Sequence, residues 1–578
     1  MQASVKNLLK NPIWIIFVLA AAIRLVGIFY GFGQDFFSDA SVHVFAAFRM
    51  LEERTLNASF DFYYLPPLLS YFLVPFFAAF GTLGILFGKF ASLADFREFV
   101  ILNREYFVIG PRIISAILGA GAVLFLYDTV RRAFGYWPAL AASSFLAFDF
   151  YHIHESHSGR IWAPITFFIV AALWCIWRIY DSEETKWRFF ETEDQKWLLY
   201  VFAAVFIGLG YGAGYVPILI LPWFFAAHFL KSPAIRYRDI LFDQKLILSS
   251  ALFLILIIVF SSANLNAFVR QFGSTIDGLI LSPYFSDLRL TDVGIGGGPS
   301  SFLPNFTKSL LFLFDDSPLL LFFGAIGAVF LALKYRNNFI SSLFIGFPLL
   351  YLLGISFGFP SIDARYILPA VPFLAILSAY AVRELADRFP ANALQISLFF
   401  VLLIAGYSFW VSTNYAFLTL KPDTRIQAVR WIYDNVDPGT RVLVNMLFTH
   451  LNENKESIEN LASVGGFVDV RQRYFLTLRD EQLPAPSYFV LDNQRRSRER
   501  GEYEILKPEY AIHAFWNGSE SFLGAGIIPG EKELLVRLYP GEELTDLHDF
   551  LNMPENFYSL LPKLKFLGPY VEIYRLKY

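Results

Sequence analysis

Apolar segments of membrane-spanning length recur along the first 413 residues, and they constrain the fold more than any other feature. About 20 consecutive apolar residues are needed to cross a bilayer as a helix. The composition agrees, because 56% of the residues are hydrophobic and 17% are charged, whereas soluble domains carry about 25% charged residues. The sequence therefore predicts a polytopic α-helical membrane protein. The net charge of −3 gives no indication of nucleic-acid binding.

Positively charged residues orient the predicted helices, because cytoplasmic loops carry an excess of Lys and Arg. Lys6 and Lys10 place the N-terminus in the cytoplasm, and Arg131–Arg132 should return there. An even number of crossings must lie between them, so the apolar segment 66–88 is predicted to lie in the membrane plane. It would belong to a first outer loop at 32–108. About eleven spans are predicted, at 12–31, 109–129, 136–151, 161–180, 197–212, 214–231, 246–262, 317–334, 339–357, 366–383 and 394–413.

The composition changes after residue 413, where charges become more frequent and apolar runs become shorter. The stretch 421–444 (KPDTRIQAVRWIYDNVDPGTRVLV) predicts a helix capped by Asp423 or Thr424, followed by a strand. Residues 487–493 and 565–578 also predict strands. We therefore expect a membrane domain at 1–413 and a small α/β domain at 414–578. The odd number of spans places the second domain outside the cytoplasm, with the plasma membrane as the expected location.

Ionisable residues concentrate in segments that should lie at the outer face of the membrane. HIHESHSGR, residues 152–160, separates two apolar runs and contains three of the eight histidines. Its neighbours at that face should be FFSDASVH (36–43), an outer loop at 263–316 and SIDAR (361–365). Such segments can simply be solvated turns, but ionisable residues at membrane depth usually mark a functional site. The convergence favours a site formed by Asp39, His154, Glu155, His157, Asp363 and Arg365.

The predicted outer loop contains VGIGGGPSSF, residues 293–302. Its three consecutive glycines could form a mobile flap over the site. A flexible linker explains the same composition equally well. A phosphate-binding loop is disfavoured, because no Lys-Ser/Thr pair follows and no strand precedes.

Several stretches resemble the GT-C superfamily of polyprenyl-phosphate-dependent glycosyltransferases, especially its protein-O-mannosyltransferase-like and aminoarabinose-transferase-like branch. The stretch FSDASVHVFAAFRMLEERTLNASFDFYYLPPLLSYFL is similar to the first outer loop of that family. GPRIISAILGAGAVLFLYDTVRRAFG resembles its second span, and FYHIHESHSGRIWAPITFF its turn between the third and fourth spans. ARYILPAVPFLAIL resembles a late RY-x-LP-x-x-P element, and DTRIQAVRWIYDNVDPGTRVLV the start of its outer domain. The resemblance covers most of the membrane part and rests on the order and side of these motifs.

The resemblance implies that a sugar moves, with inversion, from a polyprenyl or dolichyl phosphate to a protein, glycan or lipid acceptor. Asp39 would be the catalytic base, although it could also cap a helix at 40–53. Glu155 would orient the acceptor, assist the base or bind a metal. No cofactor is expected besides the lipid-linked sugar. A divalent metal on His154, Glu155 and His157 is chemically possible but is less expected than a plain polar role.

Cationic and aromatic groups would hold the departing lipid phosphate. Arg365 is the main candidate, although an interfacial anchor would have the same position. Tyr366 could donate a hydrogen bond or belong to the aromatic belt. Arg112 is more simply an anchor, and Arg24 within the first span should have a structural partner. The expected substrate-binding residues are Arg365, Tyr366, His154, His157, His43, Asp61, Tyr64, Asp363 and Arg112.

Two positions depart from the pattern of the family. Ala40 follows Asp39 where relatives often have a second acidic residue, and Trp162 stands where they often have an aspartate. Asp61, Glu155 or Asp363 could compensate, the acceptor chemistry could differ, or catalysis could be lost. A non-catalytic scaffold or lipid-sugar-binding protein is therefore the alternative. A transporter is disfavoured, because the sequence has no evident inverted repeat or pair of broken helices.

Overall fold

The chain forms two compact units in the computed structural model. The first comprises Met1–Ile28, Val42–Ala78 and Gly110–Thr413, and the second comprises Phe29–Ser41, Ala79–Ile109 and Asn414–Tyr578. The structure describes residues 11–34, 38–56, 67–181, 193–231, 243–262, 299–335, 338–445, 450–464, 468–492, 505–516, 531–541 and 560–578.

Helices dominate the described part of the chain up to residue 419. In chain order they are α1 (Ile13–Leu25), α2 (Ser38–Glu53), α3 (Leu68–Leu86), α4 (Leu93–Leu102), α5 (Arg104–Phe107), α6 (Ile109–Phe134), α7 (Tyr136–Phe148), α8 (Phe150–Ser158), α9 (Trp162–Tyr180), α10 (Glu193–Ala213), α11 (Leu221–Lys231), α12 (Gln244–Ser262), α13 (Pro299–Asp316), α14 (Pro318–Lys334), α15 (Phe347–Gly358), α16 (Val371–Asp387) and α17 (Ala393–Thr419). A 3-10 helix at Val216–Ile220 precedes α11, and another at Ala364–Ala370 precedes α16. A short helix at Phe339–Ser341 and a π-helical turn at Ser342–Gly346 precede α15.

The helices confirm the polytopic membrane class. Eight helices of the described residues are long and apolar enough to cross a bilayer, or nine if one bent pair counts as a span. The helices Ile13–Leu25 and Val216–Leu230 are shorter, so the number of eleven spans stays a prediction. Segment 66–88 forms α3, which is also long enough to cross. Its in-plane orientation therefore stays a prediction too.

Part of the predicted outer loop at 263–316 is helical. Residues Pro299–Asp316 form α13, which meets α14 at a bend of 115°. Ser317 causes the break, because its backbone is extended and its side chain accepts a hydrogen bond from the backbone N–H of Leu320 at 3.3 Å. Pro318 then begins α14, at a position where a missing N–H costs nothing. Residues 263–298, including the first part of the glycine-rich stretch, lie outside the described residues.

Helices α14 and α16 approach each other at the level of their backbones. A Cβ atom added at Gly327 would lie 1.9 Å from the carbonyl oxygen of Leu377. A glycine is therefore required at this contact. Small residues at such crossings are typical of helix packing in membranes, where close backbone approach provides the van der Waals contact.

The C-terminal part of the second unit contains a five-stranded mixed sheet. Its strands are β1 (Arg441–Asn445), β2 (Phe489–Asp492), β3 (Tyr510–Phe515), β4 (Glu531–Leu538) and β5 (Tyr570–Lys577), in the order β2-β1-β3-β5-β4. Strand β1 is parallel to β2 and β3, whereas β5 is antiparallel to β3 and β4. The predicted strands at 441–444, 487–493 and 565–578 are confirmed. Strands β3 and β4 are not predicted by the sequence pattern.

Three helices accompany this sheet: α18 (Thr424–Asn435), α19 (Lys455–Ser463) and α20 (Val470–Thr477). Asp423 caps α18 as predicted, because its carboxylate accepts a hydrogen bond from the backbone N–H of Arg425 at 2.8 Å. Ala428 and Ile432 of α18 pack against the sheet residues Val442 and Ile573. Burial of these apolar side chains, each worth roughly 1.5–3 kcal/mol when large, provides the core of the domain.

Candidate functional site

The stretch HIHESHSGR forms a buried helix, not the solvated turn that a polar segment between two apolar runs suggests. Asp149 caps α8 by accepting a hydrogen bond from the backbone N–H of His152 at 2.9 Å. Gly159 ends the helix in the left-handed region, with a φ of 72°, which favours glycine. All nine residues of α8 are buried. A short helix provides hydrogen bonds for their backbone N–H and C=O groups, which water cannot reach there.

Glu155 is the centre of an ion cluster in this helix. Its Oε1 atom lies 3.4 Å from Nδ1 of His154 and 3.5 Å from Nη1 of Arg160. The Ser158 hydroxyl donates to the backbone oxygen of Glu155 at 2.9 Å. The side chains of the three ionisable residues are at most 3% exposed. A buried carboxylate needs such partners to remain charged, and Arg160, which the sequence patterns do not single out, is one of them.

Arg365 is a second guanidinium in the neighbourhood of Glu155. Its electrostatic effect on that carboxylate is smaller than the effects of His154 and Arg160. Arg365 is paired with Asp363, with 3.0 Å between Nη2 and Oδ2, and its side chain is 20% exposed. The structure therefore brings together three residues that the sequence predicts for one site: Glu155, Asp363 and Arg365. Arg365 is the more accessible of the two guanidinium groups.

Aromatic rings form one side of this region. The ring of Tyr366 lies 4.8 Å from that of Trp162 in an edge-to-face arrangement, and it stacks on Phe359 at 4.8 Å. The Arg365 guanidinium lies 5.6 Å from the same tyrosine ring. Trp162, which stands where relatives often have an aspartate, is thus a packing partner of a predicted site residue.

Three other predicted binding residues contact neighbouring helices. His157 Nε2 lies 2.9 Å from the backbone oxygen of Ile23, and Arg112 donates to the backbone oxygen of Ile28 at 2.8 Å. His43 Nδ1 lies 3.5 Å from the Ser70 hydroxyl. These contacts join helices, and the substrate-binding roles of the three residues stay predictions.

Arg24 has the structural partners that its position in the first span predicts. It donates to the backbone oxygens of Ala20 at 2.9 Å and Ala147 at 2.8 Å. Another of its nitrogens lies 2.8 Å from Nδ1 of His152. The arginine thus fixes α1 against the beginning of α8.

The remaining predicted residues lie in the first outer loop. Asp39 falls within the first turn of α2, which begins at Ser38. Predictions about its side chain stay predictions. Asp61 and Tyr64 lie outside the described residues.

Two further acidic residues meet beside α8, and the sequence patterns do not single them out. Asp149 and Asp316 are each 1% exposed, and the two carboxyl groups act on each other electrostatically. Asp316 also accepts a hydrogen bond from the backbone N–H of Tyr151 at 3.1 Å. Two neighbouring carboxyl groups in a buried place disfavour each other's ionisation, and we therefore predict that the pair shares a proton. The signal in the sequence is an aspartate within the run SFLAFDFY.

The histidine spacing does not produce a metal cluster in the described part of the chain. Within those residues no group of three or more His, Cys, Asp and Glu side chains could hold a metal ion. His154 contacts Glu155, whereas His157 contacts the backbone oxygen of Ile23. The two histidines therefore contact different partners in this structure.

The fold and the buried ion cluster define the class as a multi-pass α-helical membrane protein with a polar site beside its helices. Residues 14–268 match the family model of the dolichyl-phosphate-mannose-protein mannosyltransferases (PMT). This match confirms the expected resemblance to the GT-C superfamily of membrane glycosyltransferases. No curated protein sequence matches the chain.

Three solved structures are among those that resemble the chain, all at TM-scores below 0.5. The oligosaccharyltransferase of Archaeoglobus fulgidus in the apo form is 15% identical, over 87% of this chain and 70% of that chain, with a TM-score of 0.45. ArnT of Cupriavidus metallidurans bound to undecaprenyl phosphate is 13% identical, over 90% and 96%, with a TM-score of 0.43. The S. cerevisiae protein O-mannosyltransferase Pmt1-Pmt2 complex is 19% identical, over 45% and 33%, with a TM-score of 0.29. At these TM-scores the alignments define no residue equivalences.

Proposed function

We propose that this protein transfers a sugar from a polyprenyl or dolichyl phosphate to an acceptor at the extracytoplasmic face of the membrane. The observation that carries the proposal is the buried cluster of Glu155 and Arg160 with the accessible Arg365 beside it. The PMT family description supports a lipid-phosphate sugar as the donor and makes mannose the first sugar to test. The acceptor is a protein, a glycan or a lipid.

Arg365 is the proposed ligand of the lipid phosphate. When the bond between the anomeric carbon and the phosphate oxygen breaks, the phosphate gains negative charge, which a fixed guanidinium stabilises. Arg365 is partly exposed and can reach a ligand, whereas Arg160 is 2% exposed and is paired with Glu155. Glu155 is therefore proposed as a positioning residue that holds the cationic groups in place.

Asp39 is the proposed general base. It would accept the proton of the acceptor hydroxyl or amine while that group bonds to the anomeric carbon. The lipid phosphate leaves from the opposite face, so the anomeric configuration is inverted. The products are the glycosylated acceptor and the free lipid phosphate.

The proposal is tested by transfer of radiolabelled sugars from a panel of polyprenyl- and dolichyl-phosphate donors in reconstituted membranes. We expect transfer by the wild type and a loss of about 10²-fold or more in Asp39→Asn, because a general base contributes roughly that factor. Asp434→Asn, an exposed aspartate on α18, is the matched control. Activity that survives in Asp39→Asn would assign the base to Glu155 or Asp61 instead.

A catalytically inactive, lipid-sugar-binding scaffold is the second candidate. It is favoured by Ala40, which is fully buried, and by Trp162, which packs on Tyr366, at positions where relatives often have acidic residues. Binding of a lipid-phosphate sugar without turnover of any donor would support the scaffold over the enzyme.

A cytoplasmic N-terminus and an extracytoplasmic outer domain in the plasma membrane are part of the proposal. Cys175 is the single cysteine and is buried, so introduced cysteines report accessibility against a low background. In intact cells, a membrane-impermeant maleimide should label Ser463→Cys in the outer domain and not Ala391→Cys after α16. The reverse labelling pattern would contradict this orientation.

A further inference from the structure

The second unit contains a polar cavity of about 290 Å³. Its walls come from three parts of that unit. Gln34 and Ser41 belong to the segment around the start of α2, and Glu105 belongs to α5. The outer domain provides most of the other lining residues, including Tyr433 and Glu453. Pockets for small ligands measure roughly 300–1,000 Å³, so this cavity suits one small ligand or the end of a larger one.

A reciprocal pair of hydrogen bonds fixes one wall of the cavity. The Gln34 amide donates to the backbone oxygen of His450 at 3.2 Å, and the His450 backbone N–H donates to Gln34 at 2.8 Å. Ser41 lines the cavity two residues after Asp39 in the chain. The cavity is thus built partly from the first outer loop, which also carries the proposed base.

Two carboxylates in the cavity are held by Gln472, which is 3% exposed. The Gln472 side chain donates to Glu453, and its backbone N–H donates to Asp469 at 2.8 Å. The Asp469 backbone N–H donates back to the Gln472 side chain at 2.9 Å. Both carboxylates are therefore held in fixed positions at the wall of the cavity, and fixed carboxylates suit a ligand rich in hydroxyl groups.

Aromatic rings complete the lining. Tyr433 and Phe475 line the cavity, and the Arg471 guanidinium lies 5.3 Å from the Phe475 ring. Burial raises the pKa of Tyr433, so this phenol stays neutral at ordinary pH. Aromatic side chains next to fixed carboxylates match a sugar ring, which has C–H faces and hydroxyl edges.

The charge of the lining restricts the ligand further. Glu105, Glu453 and Asp469 contribute three carboxylates, against the single guanidinium of Arg471. An anionic group such as a phosphate would be repelled by this excess of negative charge. A neutral or amino-bearing ligand is favoured.

We propose that this cavity binds a sugar unit of the acceptor, namely the neutral or amino-bearing end of a glycan. The identification of the bound sugar as the acceptor rests on the proposed function. Sugar binding by the cavity does not depend on that function. The lining then selects an acceptor by its sugar ring and hydroxyl groups.

The test is saturation-transfer NMR on the full-length protein in lipid nanodiscs. The probes are methyl α-mannoside, methyl α-glucoside and glucosamine, with inorganic phosphate and a lysine-rich peptide as competing classes. We expect saturation of at least one sugar and none of phosphate. In Glu453→Gln the Kd should rise on the order of tenfold, because a hydrogen bond to a charged group is lost. Glu533→Gln, an exposed glutamate paired with Lys577 on the sheet, should bind as the wild type does.

A glutamine at position 453 can still accept the hydrogen bond of Gln472, so the variant should fold, and its thermal unfolding checks this. No saturation of any sugar, or equal affinity in Glu453→Gln, would overturn the sugar site. Binding of the peptide or phosphate in place of sugars would assign another ligand class and would also overturn it.

Hydrolysis of the lipid-phosphate donor by water separates this inference from the proposed function. If donor hydrolysis depends on Asp39 but no sugar binds, the proposed enzymatic function stands and the cavity is rejected as an acceptor site. If Glu453→Gln weakens sugar binding but no donor is turned over, the sugar-binding site stands and the proposed enzymatic function is rejected.

Discussion

Glu155 in the membrane unit and Glu572 in the outer domain are both buried glutamates, 2% and 4% exposed, and they are stabilised differently. Glu155 is surrounded by cationic partners, His154 and Arg160. Glu572 accepts hydrogen bonds from the hydroxyls of Tyr539, at 2.9 Å, and Tyr574. Its one guanidinium partner, Arg537, is 60% exposed, at 3.3 Å.

The two carboxylates differ because the two units provide different hydrogen-bond donors and different charged partners. Among apolar helices, bringing a charge out of water costs several kcal/mol, and an opposite charge offsets much of that cost. On β5, an inner strand of the sheet, two tyrosine hydroxyls and a largely exposed guanidinium stabilise the Glu572 carboxylate. Glu155 should therefore depend on its partners far more strongly than Glu572 does.

Removal of Arg160 is the strongest test of this comparison. Arg160→Met leaves Glu155 buried without its guanidinium, and we expect a loss of about 3–5 kcal/mol in the free energy of unfolding. Thermal or SDS-induced unfolding of the purified protein measures it. Arg49→Met, which breaks an exposed pair with Glu53, should cost less than about 1 kcal/mol. The comparison fails if the two variants are equally stable.

Arg365 should contribute to activity more than to stability. Arg365→Ala should lower kcat for transfer about 10²–10³-fold, the effect of removing one fixed donor to a developing anion. Its melting temperature should fall less than that of Arg160→Met, because the side chain of Arg365 is 20% exposed and that of Arg160 is 2% exposed. Arg365→Lys should be intermediate, since it keeps the charge but loses bidentate geometry. Arg388→Ala is the control, and wild-type rates in Arg365→Ala would reject phosphate binding.

The Asp149–Asp316 pair should tolerate the loss of one charge. Asp149→Asn keeps the cap of α8 and replaces a shared proton with an amide, so we expect a change below about 0.5 kcal/mol. Asp149→Ala removes the cap and should cost about 1–2 kcal/mol. Unfolding experiments on both variants distinguish these values. Equal losses in the two variants would contradict proton sharing.

The membrane helices could be predicted well, because hydropathy and length alone define them. The predicted span 161–180 appears as Trp162–Tyr180, and 109–129 begins α6 at Ile109. In the outer domain, β4 is missed because EKELLVRL lacks strict alternation of apolar and polar residues. It lies at the edge of the sheet, where pairing with β5 decides its conformation.

The site could be predicted only as a group of segments. HIHESHSGR and SIDAR are recognisable because charges interrupt apolar runs, and their residues Glu155 and Arg365 do come together. The partners of each group depend on tertiary structure. Asp149 meets Asp316 only because α13 ends beside α8, a contact that no local pattern encodes.

The weakest expected effect concerns the hydroxyl donors of Glu572. Burial, followed by the hydrogen bond to Glu572, raises the pKa of Tyr539 to about 12. A raised pKa in the folded state gives stability that is complete below the unfolded pKa of about 10 and is lost as the pH rises towards 12. Tyr539→Phe should therefore be less stable than the wild type by about 1 kcal/mol near pH 8.

The two proteins should converge in stability between pH 10 and 12, because an ionised Tyr539 repels the Glu572 carboxylate that it previously stabilised. Chemical unfolding of the full-length protein at a series of pH values measures this difference. Tyr106→Phe, at an exposed tyrosine that has no hydrogen bond to Glu572, is the matched control. A difference that stays constant from pH 8 to 12 would mean that the hydroxyl contributes through packing alone, and the contrast with Glu155 would lose its basis.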